Sequence, residues 1–192
     1  MINDQKRREK MARIPYLTTE DLLPENHDLL KRNINLHRAM ANNPDAARNF
    51  SRLGRYIRFG GKLDPRLREM AILQVGYMTN SPYEYSHHIK IGRDFGVTDD
   101  DIRAIAAETS GKNSGLPDLD RAVLRAAREM TRDLRISDET FDAIASELDS
   151  GLMVELVTVI AHYNGVVRLL ASLEIDVEAE YQPYLDEFPL PG

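Results

Sequence analysis

Cysteine is absent from this chain of 192 residues. That absence excludes disulfides, thiolate nucleophiles, thiol peroxidase chemistry and cysteine-ligated metals, because each needs a sulfur atom that these side chains do not supply. Long apolar runs are also lacking: none approaches the ~20 residues that span a bilayer. The opening "MINDQKRREKMARIPY" is charged where a secretory leader carries an apolar segment. A soluble cytoplasmic protein without a membrane partner is expected. Acidic residues outnumber basic ones, 31 to 25, and the formal net charge of −6 argues against nucleic acid, whose phosphates need a concentrated basic surface. The balance is uneven along the chain. Met1–Ile14 has five Lys/Arg against two acids, net +3, whereas Glu174–Gly192 has six acids and no base, net −6. Ends of opposite sign either stay solvated or bring one subunit's arm onto another's tail.

Strand patterning is missing too, with no alternating β-branched run and no hairpin turn between two such runs. What remains is helical nearly throughout. "NPDAARNFSRLGRYIRFGG" places Pro44 at a helix start, Ala46, Phe50, Leu53 and Ile57 on an apolar face and Gly60-Gly61 at the stop. "LDPRLREMAILQVGYMTN" takes Asp64 as N-cap and Pro65 as first residue, then turns apolar on almost every side, which marks a central helix. Thr98 and Ser137 cap two later helices, the second with Phe141, Ile144, Ala145 and Leu148 inward. "SGLMVELVTVIAHYNGVVRLLASL" is too apolar for a surface helix and is interrupted by Glu155, His162, Asn164 and Arg168, so it belongs inside the fold or at a subunit contact. With 42% hydrophobic residues and no internal repeat, the chain reads as one all-α domain of about eight helices over residues 1–192.

Chemistry gathers in "SPYEYSHHIKIGRDFG". Ser81 followed three residues later by Glu84, with Pro82 between them, has the form of a capping box. Glu84 also stands four residues before His88, on the same helix face. Tyr85, His88, Ile89 and Gly92 share the face that turns toward the preceding apolar helix, so His88 points inward as a core residue or a catalyst, while His87 falls on the solvated side. The rings of Tyr83 and Tyr85 pack and leave their hydroxyls seeking partners. Glu69 lies inside the apolar helix, where a carboxylate demands a partner. A hairpin turning near Thr79–Pro82 brings it within side-chain or one-water reach of His88. A carboxylate holding an imidazole raises its pKa and makes an acid–base dyad; the competing arrangement pairs Glu69 with Arg66 or Arg68.

A metal centre finds little support. Glu84 and His88 have the i, i+4 spacing, but a third ligand must come from distant His162 or Glu155, and HExxH is absent. No nucleophile elbow surrounds Ser86, and no glycine-rich loop follows a strand.

The order and spacing of "LDPRLREMAILQVGYMTNSPYEYSHHIKIGRDFGVTDDDIRAI", within residues 63–106, resemble the core of the carboxymuconolactone decarboxylase family, which includes the alkylhydroperoxidase D-like proteins. The resemblance implies an all-helical subunit assembled as a homo-oligomer, a trimer or a hexamer, with the site near a subunit contact. In the hydroperoxidase branch the motif is a glutamate, a CxxC pair and a histidine. Here these positions hold Glu69, Ser81 and Glu84, and His88, so the proton-relay half is present and the redox half is not. The decarboxylase branch needs no sulfur, metal or organic cofactor and takes a small carboxylated lactone. By that resemblance His88 is the general acid and Glu69 orients it, while Tyr83, Glu84, Tyr85 and His162 line the substrate. No cofactor or metal is expected. Arg66, Arg93 and Arg168 are candidates by type for a substrate carboxylate.

Overall fold

Helix starts in this chain are written by short polar side chains and prolines, and most of them operate as the sequence suggests. In the computed structural model, which describes residues 12–191, Asn43, Asp64, Thr98, Ser137 and Asp149 each accept a backbone N–H of the helix they precede. Nine α-helices result among the described residues: α1 (Asn35–Met40), α2 (Pro44–Phe59), α3 (Pro65–Met78), α4 (Pro82–Asp94), α5 (Asp99–Thr109), α6 (Asp118–Asp133), α7 (Asp138–Ala145), α8 (Ser150–Leu173) and α9 (Gln182–Glu187). Short 3-10 turns precede α1 and α9, and no strand forms among these residues.

The apolar helix α3 is the hub. Every residue from Leu67 to Gly76 is buried, because α4, α5, α6 and α8 pack around it and leave no face for solvent. Its contact with α4 is tight. A Cβ on Gly76 would stand 3.2 Å from the backbone nitrogen of Tyr85, so glycine there lets the hairpin close, while one on Gly92 would stand 3.2 Å from Val97 in the turn that follows α4. The reversal itself uses Asn80 in the left-handed region at φ 50°, a conformation asparagine tolerates better than most residues.

α8 has the length and hydropathy of a membrane-crossing helix, with a mean hydropathy of 1.4 over its most apolar window, but only 39% of that window is buried. One side, including Leu156, Ile160, Val167 and Leu170, enters the main core, while Val154 on the other side is 65% exposed. On α7 the inward residues are Thr140 and Ile144. Phe141 and Ala145 face out instead, since a helix this short buries only a narrow stripe.

The termini meet within the chain. Met1–Met11 of the basic arm lie outside the described residues, but Arg13 pairs with Glu174 at 2.9 Å and the Tyr16 hydroxyl donates to Asp176. The acidic tail is not a solvated end. It turns at Glu174, sends Glu178 toward α4, and packs α9 on that helix with Phe188 buried.

Candidate active site

Four charged side chains form a buried line across the α3–α4 contact. Arg68 donates through Nε and Nη2 to Glu69 Oε1, at 3.0 and 2.9 Å. Glu69 Oε2 accepts from His88 Nδ1 at 2.7 Å. On the far side of the ring, Glu84 Oε1 lies 3.0 Å from His88 Nε2. All four are at most 4% exposed. The two partners the sequence offered for Glu69 are therefore held at once, one on each carboxylate oxygen. Charges sum to zero when the imidazole is protonated, which is what a low-dielectric interior favours.

The pKa shifts follow from this arrangement. Burial alone would pull the His88 imidazole down, but Glu84 and then Glu69 more than reverse it, to about 9. Burial would raise the Glu69 carboxyl; His88 and Arg68 carry it below its ordinary value. With Nδ1–H donated to Glu69, the protonated ring turns its Nε2–H toward Glu84 and the cavity beyond.

That cavity has a volume of about 270 Å³ and lies between α2, α4, α8 and α1 with the segment before it. Glu84, His87 and His88 line it from α4, His162 and Tyr163 from α8, and Phe50 and Arg58 from α2. Tyr163 meets the His88 ring edge-on at 5.0 Å. Burial and the nearby Glu84 raise its hydroxyl pKa, so it remains a proton donor, and no partner for it is found among the described residues. His162 packs on Phe50 at 5.1 Å, and burial lowers its pKa against the opposing pull of Glu84.

Several sequence expectations need correction. Ser81 makes no side-chain cap, and its supposed partner Glu84 turns inward to His88. Tyr85 lies on the other side of α4, against Met70, Leu73 and Tyr77, away from the cavity. Tyr83 borders the cavity, but its hydroxyl accepts the Leu36 N–H and donates to Glu178, so it holds the wall together. His87 is buried, stacked between Tyr83 at 4.2 Å and Tyr181 at 3.6 Å and bonded to Glu178 at 2.8 Å. The sequence could not reveal this, because Tyr181 and Glu178 reach α4 only through the fold of the tail. Burial lowers the His87 pKa despite Glu178.

The arginines differ as well. Arg66 is held by Asp101 and Asp120, Arg93 by Asp99 and Glu187, and Arg168 by Asn164; none lines the cavity. Arg32, Arg55 and Arg58 do, and none of them forms an ion pair with another described residue. Glu155 accepts the N–H groups of Lys62 and Leu63 at 2.7 and 2.8 Å, which fixes the loop after α2 and keeps it away from Glu84 and His88.

Comparison with known proteins agrees with this architecture. A variant of the debrominase Bmp8 in complex with 2,3,4-tribromopyrrole superposes with a TM-score of 0.77 at 20% identity, covering 91% of this chain and 96% of that one. An alkylhydroperoxidase AhpD core, an uncharacterized peroxidase-related protein from Ralstonia eutropha, gives 0.77 at 16% identity, covering 95% and 99%. A peroxidase-related protein from Silicibacter sp. gives 0.74 at 17%, covering 92% and 97%. At these identities the likeness establishes the alkylhydroperoxidase D-like helical fold. No curated protein matches the chain. Residues 44–129 match the model of the Carboxymuconolactone decarboxylase family, a span that holds Glu69, Glu84 and His88. That segment of the chain is thus similar to the carboxymuconolactone decarboxylase family, in a sequence that contains no cysteine.

Proposed function

We propose that the chain is a cofactor-independent lyase or isomerase, acting on a small carboxylated lactone or a related oxygenated acid by proton transfer at His88. The observation that carries this reading is the buried sequence of contacts from Arg68 through Glu69 to His88, ending at a cavity. Glu69 sets the ring orientation and keeps it charged, so Nε2–H is available as an acid toward a developing enolate. Tyr163 adds a hydroxyl donor beside it, and the low-dielectric floor strengthens both contacts. Arg58, which forms no ion pair with another described residue, suits a substrate carboxylate together with Arg32 and Arg55.

Thiol-based peroxide reduction is not carried over, since the CxxC positions hold Ser81 and Glu84 and neither can cycle through a disulfide. Self-association into a trimer or hexamer through the outward side of α8 belongs to the same reading; exposed Val154, with exposed Leu53 and Tyr56 on neighbouring α2, supports it.

The test is turnover of carboxylated butenolides, followed by CO₂ release and by exchange of carbon-bound hydrogen. His88→Gln should abolish both while its circular dichroism matches the parent. Undiminished turnover in that variant would rule out the proposed role of His88.

A further inference from the structure

We infer that the cavity carries a phosphate site: Arg58, with Arg32 and Arg55, takes the doubly charged phosphate group of a small monoester, and His37 stands beside them. The inference goes beyond the reading above, which asks only for one carboxylate, and it holds or fails by binding rather than turnover.

Charge points to the ligand. The chain has 31 acidic residues against 25 Lys/Arg. Among the described residues, however, Glu84 is the single acid in the cavity lining, and the charged His88 already matches it. Arg32, Arg55 and Arg58 are left over, and none of them forms an ion pair with another described residue. Arg66, Arg68 and Arg93, which are also shielded from solvent, each pair with a carboxylate. Three uncompensated guanidinium groups around one opening exceed what a single carboxylate offsets. A phosphate monoester carries roughly −1.5 to −2 at pH 7. Its oxygens also match the planar fork of a guanidinium, which can hold two of them at once.

The local structure brings these groups together. Arg55 and Arg58 are three residues apart on α2 and so share a face, while Arg32 reaches the cavity from the segment before α1. The Arg58 carbonyl accepts from Arg68 Nη1 at 3.3 Å, which ties this turn of α2 to the buried line of charges. Ile34, Phe50, Ile91 and Val166 supply apolar wall, which suits a monoester with an apolar body better than the bare ion.

His37, on α1, lines the same cavity and reports on the site. Burial opposes a charge on its ring, and so do Arg32 before α1, Arg58 on α2 and His87 on α4; only the Arg32 carbonyl favours it. On its own the ring is therefore neutral near pH 7. An anion set among the arginines cancels their repulsion, so binding draws a proton toward His37. The same arginines hold the bound phosphate in its doubly charged form.

The probes are phenyl phosphate, its singly charged diester methyl phenyl phosphate, benzoate and inorganic phosphate, each titrated into the full chain by calorimetry at pH 7. Phenyl phosphate should bind at least ~10-fold more tightly than the other three, and added salt should weaken it most. Arg58→Gln should lower its affinity at least ~10-fold. Nitrogen-15 NMR of the histidine rings should show the His37 titration moving up from about 4 toward 6.5 when phenyl phosphate is present, a change that binding elsewhere on the surface would not give. Equal affinity for the monoester and the diester overturns the doubly charged ligand, and equal affinity for inorganic phosphate overturns the monoester. A monoester that binds Arg58→Gln as tightly as the parent and leaves His37 unmoved overturns the location. Should Arg58→Gln fail to fold, the diester comparison and the His37 titration on the parent decide. Phenyl phosphate still bound by a His88→Gln variant without turnover supports the site apart from the chemistry. Turnover of carboxylated butenolides by a parent that binds no phenyl phosphate removes the site and leaves the His88 reading standing.

Discussion

Glu69 and His88 are 19 positions apart in the chain, yet their facing atoms are 2.7 Å apart. The contact joins two helices through charge at a place where apolar packing would otherwise do the work, and it ties stability to pH.

The sign follows from His88. Its folded pKa, about 9, exceeds its ordinary 6.5, so the stability it contributes is fully present below 6.5 and is lost as pH rises through 9. The free energy of unfolding should fall by on the order of 1 kcal/mol per pH unit across that window. His37 acts in the opposite sense. Burial, reinforced by Arg32, lowers it to about 4, so the folded state must give up stability as pH falls from 6.5 toward 4. Chemical denaturation at a series of pH values should therefore show a maximum near pH 6.5. His88→Gln should flatten the alkaline side only.

Glu178 anchors the tail by accepting from the Asn35 N–H at 2.6 Å, the Tyr83 hydroxyl at 3.1 Å and the His87 ring at 2.8 Å. Glu178→Ala leaves three donors without it, and a loss of about 2–4 kcal/mol is expected. Hydrogen exchange should locate the damage: amides of 174–188 and of α1 should open first, with α3 still protected. Uniform loss of protection would show that the tail is not a separate unit.

Arg58 is half-buried in the cavity wall, and its guanidinium forms no ion pair with another described residue. Removing it should cost little stability but should raise KM for a carboxylated probe about tenfold or more, the worth of one charge-assisted hydrogen bond. Salt should weaken binding to the parent more than to Arg58→Ala. An equal KM for carboxylated and uncarboxylated probes in the parent would refute the anion-binding role.

Self-association can be tested at Val154, which is 65% exposed on α8. A charge there should leave the subunit fold intact, because the side chain contributes little to the core, yet it should break a contact made by that face. Sedimentation velocity should show Val154→Glu as a smaller species than the parent. An unchanged distribution would place any assembly elsewhere.

Much of this organisation is legible in residue order. Proline and short polar residues set the helix starts, and the apolar run from Met70 to Gly76, interrupted only by Gln74, marks α3 as the hub. Glu69 and His88 stand out as polar groups on buried helices, and the turn between them limits where they can meet. Ser81 shows the boundary of such reading. Its capping-box pattern with Glu84 is sound as local chemistry, but His88 offers Glu84 a charged partner one turn away, and that attraction outweighs a backbone N–H.

By itself, then, the sequence determined the helical class, the central place of α3, the absence of thiol chemistry and the placing of Glu69 and His88 within reach of each other. All of these rest on composition and on periodicity along one or two adjacent helices. Only the tertiary structure decided that His87 is enclosed by Tyr181 and Glu178, that Tyr85 turns away from the cavity while Tyr163 enters it, and that Arg58 rather than Arg66 lines that cavity. Those outcomes depend on contacts between residues 47 to 95 or more positions apart, such as Leu36 with Tyr83 and Tyr83 with Glu178. Residue type sets what each side chain can do, but long-range packing selects which of several equivalent arginines, tyrosines and histidines shares a cavity.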